Sequence, residues 1–174
     1  DADLMLADFA ALGMGEPWSL RYAREVFMIY DPEVPPLVRQ GLERTDAAVA
    51  RLTGLALEHD FGVAAVLVPD IVQVDGPRWD ATLEHLGLAG GAHDPRQPNR
   101  LLIDRLGRHG VPTLDLTDAF DEAFDRGEPL YFPTDRHWTV EGHALAGREL
   151  ARYLAPRVAA CAAGEPAGAL ESGE

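Results

Sequence analysis

The sequence predicts an α/β fold built on a parallel sheet, and three observations carry that expectation. Gly62 through Pro69 is a continuous β-branched and aliphatic run, the composition of a parallel strand buried on both faces. Val111 to Leu116 supplies a second strand. The segments around these strands have helical periodicity, and helices alternating with strands are the pattern of βαβ units.

Taken in order, residues 1 to 12 and 18 to 30 read as helices, although Val26 to Tyr30 fits a short buried strand equally well. Asp31-Pro32-Glu33-Val34-Pro35-Pro36 then interrupts regular structure, because each proline restricts its predecessor to extended conformations. The expected organisation is an N-terminal helical or mixed segment over 1–40, an α/β portion over 41–157 and a disordered tail over 158–174. Thr45 is placed at the start of the next helix, with Asp46 favourable to its dipole and Val49, Leu52, Leu55 and Ala56 as its apolar stripe. After the first strand, Asp70 either contacts substrate or ends the strand and caps a turn, with the structural role preferred; ligands of open α/β sheets gather beyond the carboxyl ends of strands. Gly76 to Gly91, with Trp79 and His85, reads as a substrate-side lid or a plain helical excursion.

Pro98 to His109 is expected to be a helix with Leu101, Leu102 and Leu106 inward, stopped by Gly110. Thr117 is expected to cap a short helix carrying Phe120, Ala123 and Phe124 and ending at Gly127. An amphipathic helix over 140–154 follows, and beyond Leu154 the Ala-, Gly-, Pro- and Glu-rich composition predicts a disordered tail. Among the other histidines, His59 and His109 suit helix C-termini, and His143 is expected to point away from the loop before it and to pack within its own block.

The chemistry concentrates in Phe132-Pro133-Thr134-Asp135-Arg136-His137-Trp138-Thr139-Val140-Glu141-Gly142-His143. Alternate side chains of an extended segment share a side, so Asp135 and His137 can project together into one cleft. A carboxylate that accepts one ring N–H fixes the imidazole tautomer and leaves the other nitrogen free to take a proton from a nucleophile. Candidate nucleophiles are scarce: the serines are Ser19, which reads as a helix cap, and Ser172, in the polar tail, while Cys161 lies in an Ala-rich run without a neighbouring base. Asp135 and His137 with Asp115 or Asp70 supply donors for a metal site, but the closely spaced histidines usual in such sites are missing, so no metal and no other cofactor is expected. Trp138 reads as a packing residue or a substrate platform, and Asp70, Trp138 and Trp79 are the candidate substrate contacts.

Tyr131 to Trp138, continued by Gly142-His143-Ala144-Leu145-Ala146, resembles the last signature block of the SGNH (GDSL-like) hydrolases. The helix–strand–helix–strand order upstream is similar as well, so that the resemblance spans roughly residues 41 to 155, with only the Asp-His-Trp block specific. The resemblance implies a three-layer α/β/α, flavodoxin-like fold and acyl-ester chemistry, with His137 as general base, Asp135 as its orienting carboxylate and a serine nucleophile. In that family the serine lies in a Gly-Asp-Ser block, and a Gly and an Asn complete the oxyanion hole; these blocks are not found here, so the serine is expected outside the chain and the isolated chain is expected to be inactive. The short Asp-x-His spacing is similar to that of the alginate acetyltransferase-like subset, in which the blocks are circularly permuted. The expected function is therefore an acyl-ester hydrolase, with two alternatives: an O-acetyltransferase-like domain acting on a polysaccharide, or a non-catalytic carbohydrate- or partner-binding domain of the same fold.

Composition narrows the partners. The 174 residues carry 29 acidic against 15 basic side chains, a net charge of −14, and every basic residue is arginine with no basic stripe, which argues against nucleic acid. A hydrophobic content of 47% suffices for a core, and a single cysteine precludes an internal disulfide. No apolar run reaches the ~20 residues of a membrane span. The opening Asp1-Ala2-Asp3 lacks an initiator Met and a basic leader, which fits a processed or trimmed product. The resemblance also implies a small-molecule or carbohydrate ester as substrate and a site of action outside the cytoplasm. Two strands are fewer than a doubly wound sheet needs, so a missing segment or a partner is expected to complete it.

Overall fold

The computed structural model describes residues 25–88, 91–132 and 136–164. Within them the order is a 3-10 turn at Met28–Tyr30, then α1 (Pro36–His59), β1 (Ala65–Leu67), α2 (Ile71–Val74), α3 (Gly76–His85), α4 (Gln97–Arg108), β2 (Thr113–Asp115), α5 (Thr117–Asp125) and α6 (Val140–Ala162). β1 and β2 pair in parallel, with Ala65 opposite Thr113, Val66 opposite Leu114 and Leu67 opposite Asp115. The path from β1 through three helices into the parallel β2 is the α/β crossover that the sequence predicts, in a molecule dominated by helix.

The front of the described region is helical: residues 25–27 continue into the 3-10 turn, which resolves the choice left open at Val26 to Tyr30. Phe27 and Tyr30 are buried against Trp79 of α3, the Phe27 and Trp79 rings stacking at 5.7 Å and the Tyr30 ring meeting Trp79 edge-on at 5.0 Å. Gly76 to His85 is thus a helical excursion whose Trp79 and Leu83 belong to the core.

α1 begins at Pro36, nine residues before the expected start at Thr45, and runs through the expected 40/41 boundary. Proline suits the first turn of a helix, where its missing N–H has no intrahelical partner, so Pro35-Pro36 starts this helix instead of barring it. The apolar stripe expected on α1 is only partly buried. Ala56 is covered, whereas Leu52 and Leu55 are exposed. Asp46 lies in the helix interior, where it pairs with Arg105 and faces His109 Nε2 at 3.6 Å, tying α1 to α4.

β1 also differs from the expectation. Val66 and Val68 are 36% and 58% exposed, so the strand is not buried on both faces, because β2 is its only strand neighbour among the described residues. The main core lies instead between helices: Ile71, Val72 and Val74 of α2 meet Leu116, Phe120 and Ala123 at and after the end of β2, and Leu130, Tyr131 and Leu145 close the cluster. α4 ends as predicted at Gly110, which adopts φ +65° and lets Val111 N–H reach back to the Leu106 carbonyl. Thr117 is the first residue of α5 and not its cap; Asp115 Oδ1 accepts from both Thr117 N–H and Thr117 Oγ.

α6 starts where predicted, with Thr139 Oγ1 accepting from Gly142 N–H, but it continues to Ala162, past Leu154 and through Pro156. Beside that proline, Arg157 donates to the Tyr153 carbonyl at 2.8 Å and lies over the Tyr153 ring at 3.7 Å. No helix among the described residues is long and apolar enough to cross a membrane.

Candidate active site

The site is assembled where two chain segments meet beyond the carboxyl end of β1. The first is Val68-Pro69-Asp70. Asp70 is the N-cap of α2: its Oδ1 accepts from Val72 N–H at 3.2 Å, and its own N–H donates to Gln73 Oε1 at 2.9 Å, a reciprocal capping box. Asp70 therefore has the structural role that its position predicts, and it faces the cleft as well.

The second segment is a hairpin closed by the antiparallel bridge between Tyr131 and Trp138, with Phe132 N–H donating to the His137 carbonyl at 3.0 Å and Thr139 N–H to the Leu130 carbonyl at 3.0 Å. α6 follows at once and packs close. A Cβ on Gly142 would sit 2.4 Å from the Leu130 carbonyl oxygen and 3.0 Å from Trp138 Cβ, so only glycine fits there. The hairpin is fastened to the tip of β1 by two side chains: Tyr131 Oη donates to the buried Pro69 carbonyl at 2.9 Å, and Arg136 grips Asp70 through Nε at 3.1 Å and a terminal nitrogen at 2.6 Å. This two-point guanidinium–carboxylate geometry is the strong form of the contact.

Between the segments opens a cleft of about 340 Å³ lined by Val68, Pro69, Asp70, Arg136, His137, Trp138 and His143. Of the residues singled out from sequence, His137, Trp138 and Asp70 come together here. Asp135 lies outside the described residues, as do Ser19 and Ser172. Trp79 is 8% exposed in the aromatic core with Phe27 and Tyr30 and does not line this cleft. Trp138 packs on Phe120 at 4.9 Å and also lines the cleft.

Two cleft residues escape the sequence argument. Arg136 stands between Asp135 and His137, and nothing in the spacing identifies Asp70, 66 positions away, as its partner. His143 packs edge-on against Trp138 at 5.5 Å, as expected within its block, yet it also lines the cleft beside His137 instead of pointing away from it. The first-turn position of His143 on α6 is the available signal: it leaves the ring at the same end of the helix as the loop.

The electrostatics of this region favour neutral phenols. Burial, reinforced by the Asp70 charge, pushes Tyr30 up to about 12, and burial raises Tyr131 well above the usual phenol range against the opposing effect of a side-chain hydrogen bond with Trp138. Tyr131 therefore remains a hydrogen-bond donor to Pro69 across the neutral range. Asp70 is held by Arg136, and Asp115 by Asn99 and Thr117. Among the described residues no group of three or more His, Cys, Asp or Glu side chains is placed to hold a metal ion.

The arrangement is an open, partly apolar cleft with an exposed imidazole at the carboxyl end of a parallel strand, suited to proton transfer at a bound ligand. Comparison with curated proteins returns no match, and neither does comparison with solved structures. A comparison with protein families matches residues 32–173 to the SGNH hydrolase-like domain of the acetyltransferase AlgX, and the chain belongs to that family.

Proposed function

We propose that this domain acts on oxygen esters by SGNH-type acyl transfer, with a hydroxyl group as the acceptor. The observation that carries the reading is His137 on the cleft at the carboxyl end of β1, in a chain of the family described for an acetyltransferase. His137 is the proposed general base, and Asp135, two residues before it, the carboxylate that orients its ring. The described residues contain no serine, so the nucleophile is assigned to a segment outside them.

In the first half-reaction His137 takes the proton of the serine hydroxyl as that oxygen bonds to the ester carbonyl carbon. The tetrahedral adduct then expels the first alcohol, which leaves with the proton returned by His137. In the second half-reaction an acceptor hydroxyl gives its proton to His137 and attacks the acyl-serine, and the serine oxygen leaves with the proton returned by His137. Water in place of that acceptor makes the same site an esterase, so the fate of the acyl group separates the two activities. The family description, that of an acetyltransferase, favours transfer, and a carbohydrate ester is the substrate class that the resemblance to the alginate acetyltransferase-like subset implies.

The test is an aryl acetate assay with and without an oligosaccharide acceptor, on this chain and on any longer natural polypeptide containing it. A serine-directed covalent probe read by intact mass accompanies it. Transfer predicts acetylated acceptor and loss of both activities in His137→Ala. The 174-residue chain alone is expected to show no turnover above a His137→Ala control, because preorganised oxyanion donors are worth about a hundredfold or more each. Labelling of Ser19 in this chain, with activity lost in Ser19→Ala, would instead place the nucleophile at that residue. Absence of turnover and of probe labelling in every polypeptide would support a binding domain of the same fold.

A further inference from the structure

Beneath the cleft runs a chain of polar side chains that joins the tips of the two strands. At its far end the Asp115 carboxylate, closing β2, accepts from Asn99 Nδ2 at 2.9 and 2.8 Å. Asn99, 7% exposed, also donates to Thr117 Oγ1 at 2.7 Å and accepts from Gln73 Nε2 at 2.7 Å. Gln73 is further fixed by donating to the Pro95 carbonyl at 2.7 Å, and its Oε1 holds the Asp70 N–H. Asp70 then carries Arg136, the residue directly before His137.

Helix capping explains only part of this. A capping box needs Gln73 Oε1 alone, yet both the amide nitrogen of Gln73 and the whole side chain of Asn99 are committed to β2 and to the α4 entry. A half-satisfied polar network inside a protein costs more than an apolar core, so one completed this far holds its members in a single arrangement. Its output is the position of Asp70, from which Arg136 hangs over the cleft.

We propose that Gln73 and Asn99 are positioning residues for the candidate base: through Asp70 they lock the Arg136 clamp, and with it the His137 loop, to the carboxyl ends of both strands. The catalytic meaning of this assignment rests on the acyl-transfer reading, but the positional claim does not.

The test uses NMR of the intact chain, following the water exchange of the Arg136 Nε–H and the ring signals of His137. In Gln73→Leu the Arg136 Nε–H is expected to exchange about tenfold faster, the factor equivalent to the net worth of one hydrogen bond. The His137 ring signals move with it, while signals of Trp79 in the aromatic core stay in place. Asp70→Asn, which weakens the clamp directly, gives the reference effect. Should Gln73→Leu fail to fold, Asn99→Ser, which keeps a hydroxyl near Asp115 but loses reach to Gln73, is read in the same way and is expected to move the same two signals. A lowered melting temperature with unchanged Arg136 exchange and His137 signals, in whichever of these variants folds, would overturn the proposal and leave the network a purely structural one. In a polypeptide with acyl-transfer activity the same variants are expected to lower kcat with KM retained. If none shows that activity, the reading of the reaction fails while the NMR result still decides the positional claim.

Discussion

At the scale of single residues, the site depends on how one tyrosine and one arginine fasten a hairpin to a strand tip. Tyr131 is buried, and its hydroxyl is the donor that satisfies the Pro69 carbonyl. Tyr131→Phe removes that donor and leaves a buried acceptor unpaired, so about 1–3 kcal/mol of stability is expected to be lost, measurable by urea unfolding. The same side chain gives a pH signature. The folded state holds Tyr30 and Tyr131 protonated to higher pH than an unfolded chain does. For a group with a raised folded pKa, the stabilisation is complete below the unfolded value of about 10 and is lost as pH rises through the folded value. The contribution of these two tyrosines to stability is therefore expected to be constant across neutral pH and to fall as pH rises above about 10, with their phenolate absorbance lagging behind that of a free tyrosine. Tyr131→Phe should shrink the lagging component; loss of a normally titrating component in its place would show that Tyr131 ionises normally.

At the scale of elements, the start of α6 governs the site. The bridge between Tyr131 and Trp138 places His137, and the first turn of α6 can lie against Leu130 only because residue 142 has no side chain. Gly142→Ala puts a methyl group 2.4 Å from a backbone carbonyl that already accepts from Thr139 N–H, so it is expected to cost about 1–3 kcal/mol despite the better helix propensity of alanine. A rise in melting temperature would refute this account of the glycine. Elements also show what could be read from the sequence. The Gly110 stop of α4, the short helix α5 that carries Phe120 and Ala123 and the start of α6 at Val140 were legible because they depend on local sequence chemistry. The start of α1 at Pro36 was masked by its own prolines, which break a helix in its interior but suit its first turn. The Arg136–Asp70 clamp was invisible because a partner 66 residues away leaves no local trace. The cleft residues His137 and Trp138 were nominated by their motif, and the fold supplied Arg136 and His143 beside them.

At the scale of the whole molecule, stability is drawn from helices packed around Phe120 and Leu130 and little from the sheet. Phe120 and Leu130 are 0% exposed, whereas Val68, directly after β1 on the way into the cleft, is 58% exposed. Substituting a buried aromatic such as Phe120 by Ala is expected to cost about 3–5 kcal/mol. Val68→Thr, in contrast, removes a methyl that already faces solvent and is expected to stay within about 0.5 kcal/mol of the parent chain. That pair of measurements reports whether β1 is a surface strand or the interior strand that its continuous aliphatic run predicts. If a further segment or a partner completes the sheet, Val68 becomes buried, and Val68→Thr should then weaken that assembly while leaving this chain unaffected. A cost above about 1.5 kcal/mol for Val68→Thr in this chain alone would show that the strand face is already covered and would remove the ground for expecting additional strands.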